Sequence, residues 1–355
     1  MYRGKYPAER HLGIYALYVM FFPQLVAGPI ERPAHLLPQF RKVVHFEKGN
    51  VFSGIRLMAW GFFKKMVIAD RLAFSVNYIY ANVAYVSGPS IFFAMFAFSF
   101  QLYADFSGYT DIARGSARVL GIDLVRNFNQ PYFSRSIAEF WRRWHISLSS
   151  WFRDYVYLPL VWNRKEWGIW WMYSAVVITF LLTGVWHGAA WTYIVMGLLF
   201  GLYIIIGLVT KPLRGRFSTF IGLSQVPRLH SALQIGVTFI LTSVAFVFFR
   251  SSDLRSAGAF LVQMSVGWHI SFAQFLEAYV IHPVTMLGIR NIDLALALGF
   301  IVVLLLVENV ERRCGIVTFL DQRSLFVKSV VYSSLLWAIL MFGIFTASTF
   351  IYFQF

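Results

Sequence analysis

The stretch Thr183-Gly-Val-Trp-His-Gly-Ala-Ala-Trp191 constrains this chain most, because it sets one titratable side chain, His187, inside about 40 almost uncharged residues. Gly168 to Trp186 carries no charge, and Gly188 to Thr210 is equally bare. Apolar runs of this length are membrane spans rather than soluble core helices. His187 is therefore expected mid-span. A polar group in hydrocarbon is costly and is mostly kept for chemistry or transport; a histidine that merely bonds a neighbouring helix is the plainer alternative.

Composition agrees. Of 355 residues, 58% are apolar and only 13% charged, about half the charged share of a soluble domain. The expectation is an all-α polytopic membrane protein forming a single membrane-embedded domain over residues 1–355. The net charge of +15 does not point to nucleic acid. Its basic residues sit in short clusters between apolar runs, as at Arg142-Arg143, Lys211 to Arg216 and Arg312-Arg313, a pattern of interfacial anchoring. The single cysteine, Cys314, excludes an internal disulfide and reads as a bystander at a helix end.

Taken in order, His11 to Ile30 is an apolar run broken by Pro23 and by Gly28-Pro29. It predicts a helix feeding a non-helical, re-entrant turn that must be buried in protein or face water. Val51 to Asp70 reads as a span whose Lys64 and Lys65 snorkel, or as an in-plane helix. Leu72 to Ser87 is a weaker candidate. Pro89 to Phe106 is a clearer span, and Thr110 reads as the N-cap of a separate helix through Leu120. Asp111 and Arg114 are spaced for an ion pair. Asp105, at the end of an apolar span, is either a functional group or paired with Arg114 or Arg118. Ile137 to Tyr155 reads as one amphipathic helix with a broad aromatic face, on which His145 falls at about 80°, at the border of the polar side. An edge histidine of no special role is the alternative there. Val209 to Leu229 is a basic loop. Ser231 to Phe249, Ile292 to Val307 and Val327 to Phe345 span again, with a charged loop from Glu308 to Lys328. The total is about eight to nine membrane segments.

Several catalytic constellations are missing: no Gly-x-Ser-x-Gly elbow, no phosphate-binding glycine loop and no Cys/His metal spacing. No metal is expected. Ser147 points away from His145 if both lie on one helix. What remains is a histidine pair, His187 and His145, that a bundle would bring to one cavity. Imidazole suits proton transfer near neutral pH, and a buried neutral histidine would deprotonate a hydroxyl for attack on a thioester. Trp144 and Trp186 each precede one of these histidines and would wall the pocket, although ordinary packing explains them as well.

At this point the residues match a family. The chain resembles the membrane-bound O-acyltransferases, in particular the bacterial branch of alginate O-acetylation and teichoic acid D-alanylation. The resemblance rests on Phe22-Pro-Gln-Leu-Val-Ala-Gly-Pro-Ile-Glu-Arg32, Ser99-Phe-Gln-Leu-Tyr-Ala-Asp-Phe-Ser-Gly-Tyr-Thr-Asp111 and Asn127-Phe-Asn-Gln-Pro-Tyr132. It continues in Glu139-Phe-Trp-Arg-Arg-Trp-His-Ile-Ser-Leu-Ser149, Phe152-Arg-Asp-Tyr-Val-Tyr157, Gly184-Val-Trp-His-Gly188 and Phe350-Ile-Tyr-Phe-Gln-Phe355. It implies a helical bundle with re-entrant and interfacial helices around a central funnel, with His187 as main and His145 as second active-site histidine. It also implies a multi-pass protein of the bacterial inner membrane. The donor would be a cytoplasmic thioester, acetyl-CoA or an acyl carrier, used as substrate, with no bound cofactor. The acceptor would be an extracytoplasmic, alginate-like polysaccharide reached through a partner acetyltransferase. Members usually carry further apolar helices before the Phe-Pro-Gln segment, so a fragment, or a variant that dispenses with them, is expected here.

Two other classes compete. A transporter would use Asp105, His187 and Glu308 as intramembrane ionisable groups but should show an internal repeat, which the sequence lacks. A non-catalytic scaffold for a partner acyltransferase would tolerate loss of both histidines.

Overall fold

A computed structural model describes residues 8–269, 271–346 and 350–351. Tyr352 to Phe355 of the closing aromatic stretch lie outside these residues. Among the described residues every regular element is helical. In chain order they are α1 (Leu12–Met20), α2 (Pro33–Phe40), α3 (Lys48–Phe62), α4 (Asp70–Ala81), α5 (Gly88–Val119), α6 (Ile137–Arg143), α7 (Ile146–Phe152) and α8 (Leu158–Trp162). There follow α9 (Gly168–His187), α10 (Trp191–Val209), α11 (Lys211–Phe220), α12 (Pro227–Arg250), α13 (Leu254–Gln263) and α14 (Phe272–Leu276). The last are α15 (Val284–Leu287), α16 (Asn291–Cys314), α17 (Ile316–Asp321) and α18 (Leu325–Phe342).

Six of these, α5, α9, α10, α12, α16 and α18, are long and apolar enough to cross a membrane. The chain is thus an all-α polytopic membrane protein. Eight or nine segments were expected; among the described residues six helices meet the length and composition of a span, α3 and α4 being separated by a π-helical stretch and carrying charges. Two further boundaries differ. Thr110 caps nothing: α5 runs unbroken through it. The supposed basic loop after Val209 contains α11.

The helices group into two compact units. One comprises residues 1–70, 102–127 and 302–354. In it α3 gives way to a π-helical stretch, Phe63–Ala69, whose irregular hydrogen bonding frees a carbonyl. That of Met66 accepts from the amide of Ile344 at 3.0 Å. Lys64 does not snorkel: it is buried and donates to Ser107 at 2.9 Å and Asp111 at 2.6 Å. Arg114 stands 3.8 Å from Asp111, so the expected i, i+3 pair is the looser of Asp111's two contacts. Close approach of α3 to α5 requires glycine twice. A Cβ on Gly54 would lie 2.6 Å from the Gly115 carbonyl, and one on Gly61 2.6 Å from that of Gly108. The non-helical segment after Pro23 is buried as expected at Gly28 and Pro29. Buried Glu31 ties it down, accepting from the Val125 amide at 2.6 Å.

The second unit comprises residues 71–101 and 128–301. Its core sets Ile79, Ile91, Met95, Val247, Phe260 and Leu287 together. Both candidate histidines belong to this unit.

Candidate functional site

His145 sits in a break, not on a helix face. α6 ends at Arg143, Trp144 is extended, and His145 takes φ 43°, ψ 54° before α7 starts at Ile146. A non-glycine residue in the left-handed region costs about 1–3 kcal/mol, and such residues concentrate at functional sites. The 80° border position deduced from one continuous helix therefore does not apply. The break is well held. Arg143 pairs with Glu139 at 2.8 Å, its carbonyl accepts from the Asn129 amide at 2.9 Å, and the His145 carbonyl accepts from the Ser149 amide at 2.9 Å. The side chain of His145 is only 3% exposed. Burial, reinforced by the nearby His187 ring, pushes its pKa well below the ordinary imidazole range.

His187 is not mid-span either. It is the last residue of α9, and Gly188 (φ 154°) turns the chain into α10. A Cβ at Gly188 would come within 2.7 Å of the Tyr193 ring. The α9–α10 hairpin closes on two more glycines: a Cβ at Gly184 would meet the Tyr193 carbonyl at 2.3 Å, and one at Gly197 the Phe180 carbonyl at 2.2 Å. Small residues let apolar helices approach this closely. The hairpin thereby delivers His187 at a fixed helix end, partly buried.

Trp186 joins the two histidines. Its ring centroid lies 4.9 Å from that of His187 and 5.9 Å from that of His145. Two further rings near His187 are Phe249 at 5.4 Å and Tyr193 at 6.3 Å. Neither was singled out from the sequence. Phe249 ends an apolar run with nothing to mark it, whereas Tyr193 follows the Gly188 turn closely enough to have been considered. Trp186 is 48% exposed, so the aromatic wall is open on one side.

The remaining candidates have contacts of their own. Trp144 is buried among Phe128, Phe140 and Phe246, with centroids 5.0, 5.3 and 5.2 Å away, which accounts for it as packing. Asp105 belongs to the first unit. Its partner there is Lys65 at 2.7 Å, and its other oxygen accepts from the Ile351 amide at 2.8 Å; pairing with Arg114 or Arg118 is corrected accordingly. Glu308, also in that unit, accepts from Tyr103. Ser149 and Ser150 bond backbone carbonyls, those of Trp144 and Ser147, at 3.0 and 2.9 Å.

Fold and site together define a class: a multi-pass, all-helical membrane protein with two imidazoles gathered round one indole. Residues 11–251 match the model of the MBOAT, membrane-bound O-acyltransferase, family, and the chain belongs to that family. It is 41% identical over 258 residues to a probable alginate O-acetylase of Pseudomonas fluorescens, covering 73% of this chain and 49% of the relative. It is 38% identical over 249 residues to a peptidoglycan O-acetyltransferase of Helicobacter pylori, covering 70% and 45%. A teichoic acid D-alanyltransferase of Bacillus subtilis is 34% identical over 200 residues, covering 51% and 48%. The chain spans about half the length of these relatives.

Proposed function

We propose that the protein acts as a membrane O-acyltransferase, moving a small acyl group, acetyl in the first instance, from a cytoplasmic thioester to a hydroxyl on the extracytoplasmic side of a bacterial inner membrane. The observation that carries this reading is the convergence of His145 and His187 on the Trp186 ring. Neutral His187 takes the proton of the acceptor hydroxyl as its oxygen attacks the thioester carbonyl carbon. The C–S bond then breaks, an ester forms, and the thiol leaves with the proton returned from the imidazole. His145, held neutral by burial, acts beside it by positioning the acceptor or His187. Trp186 walls the pocket and limits water.

Relatives named for alginate and peptidoglycan O-acetylation support a polysaccharide as final acceptor, alginate-like by the higher identity. A thioester of CoA or of a carrier protein as donor, and an extracytoplasmic acetyltransferase as partner, complete the proposal. Asp105 and Glu308, which a transporter would need as free ionisable groups, are instead engaged by Lys65 and Tyr103.

The test is acyl transfer by His187→Ala in cells or proteoliposomes carrying the full protein. Loss of acylated product at unchanged membrane abundance is expected. Wild-type acylation would overturn the assignment, and silence of the double histidine variant would favour a scaffold.

A further inference from the structure

The connection between α10 and α12 carries a feature that acyl transfer does not use. In α11 every residue but Ser218 is exposed. Leu213, Phe217 and Phe220 are 64%, 63% and 88% exposed and, being spaced by four and three residues, share one helix face. Arg214 and Arg216 fall roughly 70–90° to either side of that stripe, and Lys211 behind it. Arg214 turns back to cap α10, donating to the Gly207 carbonyl at 2.5 Å and to Thr210 Oγ at 3.1 Å. Lys211, Arg216 and Arg228 are exposed, and no acidic residue occurs between Glu166 and Asp253 to neutralise them. The flanking ends of α10 and α12 are apolar and exposed too, at Ile206, Val209, Val226 and Leu229. Both helices are long and apolar enough to span, which puts α11 at a bilayer surface.

We propose that α11 lies in the plane of the membrane and binds anionic phospholipid headgroups of the cytoplasmic leaflet through Lys211, Arg216 and Arg228, with Leu213, Phe217 and Phe220 sunk among the acyl chains. An exposed apolar stripe flanked by basic residues is the pattern of interfacial helices, and anionic headgroups supply the complementary charge. The stripe continues into the apolar ends of α10 and α12, which a soluble acidic protein would leave uncovered. The side follows from the distribution of basic residues. Arg164 and Lys165, before α9, emerge at the same end of the helices as α11, whereas the other end has the uncharged turn Gly188 to Ala190 and fewer basic residues, Arg250 and Arg255, after α12; the more basic side stays cytoplasmic.

The experiment measures lipid retention by the purified full chain in detergent, by native mass spectrometry, with phosphatidylglycerol against phosphatidylcholine. Wild type should prefer phosphatidylglycerol. The triple variant Lys211→Gln, Arg216→Gln, Arg228→Gln should lose roughly 10- to 100-fold of that preference, while Lys211→Arg, Arg216→Lys, Arg228→Lys keeps it and so excludes misfolding. In a Cys314→Ser background, Thr219→Cys should react with an impermeant maleimide only after cells are opened. Equal retention by the Gln variant, equal affinity of wild type for the two lipids, or labelling in intact cells would each overturn the proposal. An acidic soluble protein captured through these residues, without any lipid preference, would overturn it as well.

Discussion

Trp186 meets His145 edge to face, with ring centroids 5.9 Å apart and planes at 73°, although one ends a membrane helix and the other sits in a break between two short helices. The same indole is 4.9 Å from His187. One indole therefore stands beside both imidazoles, whereas Trp144 is buried among Phe128, Phe140 and Phe246.

Trp144→Ala and Trp186→Ala should accordingly separate. The first removes a ring packed against Phe128, Phe140, Phe246 and Tyr132 and should cost about 3–5 kcal/mol of stability. The second removes a ring that is nearly half exposed; it should leave unfolding almost unchanged while lowering turnover roughly 10- to 100-fold by releasing both imidazoles. Thermal unfolding and acyl transfer measured on the same preparations check the split.

The state of His145 has a consequence for pH. Its folded pKa is depressed by burial and by the neighbouring ring, so the unfolded chain takes up a proton first as pH falls. Stability supplied by the neutral form is full above the unfolded value of about 6.5. It is lost as pH drops from there towards the folded pKa. His145→Gln should flatten this slope in unfolding measured between pH 7 and pH 5. A wild-type slope in the variant would assign the effect to another group.

In the first unit, Asp105 holds Lys65 at 2.7 Å and the Ile351 amide at 2.8 Å. Asp105→Asn should cost about 1.5–3 kcal/mol, the range for a hydrogen bond to a charged group, because Lys65 keeps Asp70 at 2.9 Å. Lys65→Met with Asp105→Leu should cost more than Asp105→Asn, because it also takes the Lys65 ammonium away from buried Asp70. Denaturant unfolding of the two variants decides. A fall in turnover without loss of stability in Asp105→Asn would instead make this residue part of the chemistry.

Gly197→Val drives a branched side chain towards the Phe180 carbonyl, where even a Cβ would stand at 2.2 Å. Overpacking of this kind costs about 1–3 kcal/mol. It should also displace His187, so activity and stability fall together. Gly207→Val, where a Cβ meets nothing within 4 Å, is the control.

How much of this was legible beforehand differs from element to element. The run of uncharged residues round His187 was enough to mark two spans and one unusual polar group. The stop between them was also written, as Gly188 directly after the histidine, a common helix-ending glycine, yet the length of the apolar run hid it. The break at Trp144-His145 had no such mark. It contains neither glycine nor proline, and the contact that holds the end of α6 there, from the Asn129 amide to the Arg143 carbonyl, comes from outside the helix. Lys64 and Lys65 misled for a related reason. Lys64 pairs with Asp111 and Lys65 with Asp105, both on α5, contacts that periodicity within one segment could not reveal; the further pair of Lys65 with Asp70 lies at the segment's own end.

The central claim is that His145 and His187 form one site, and a double-variant cycle on acyl transfer tests it most directly. Groups that act as a unit are grossly non-additive. The account predicts that His145→Ala, His187→Ala and the double variant lose turnover to nearly the same floor, at equal abundance in the membrane. Losses that simply multiply in the double variant would mean that the two rings work independently, and would contradict it.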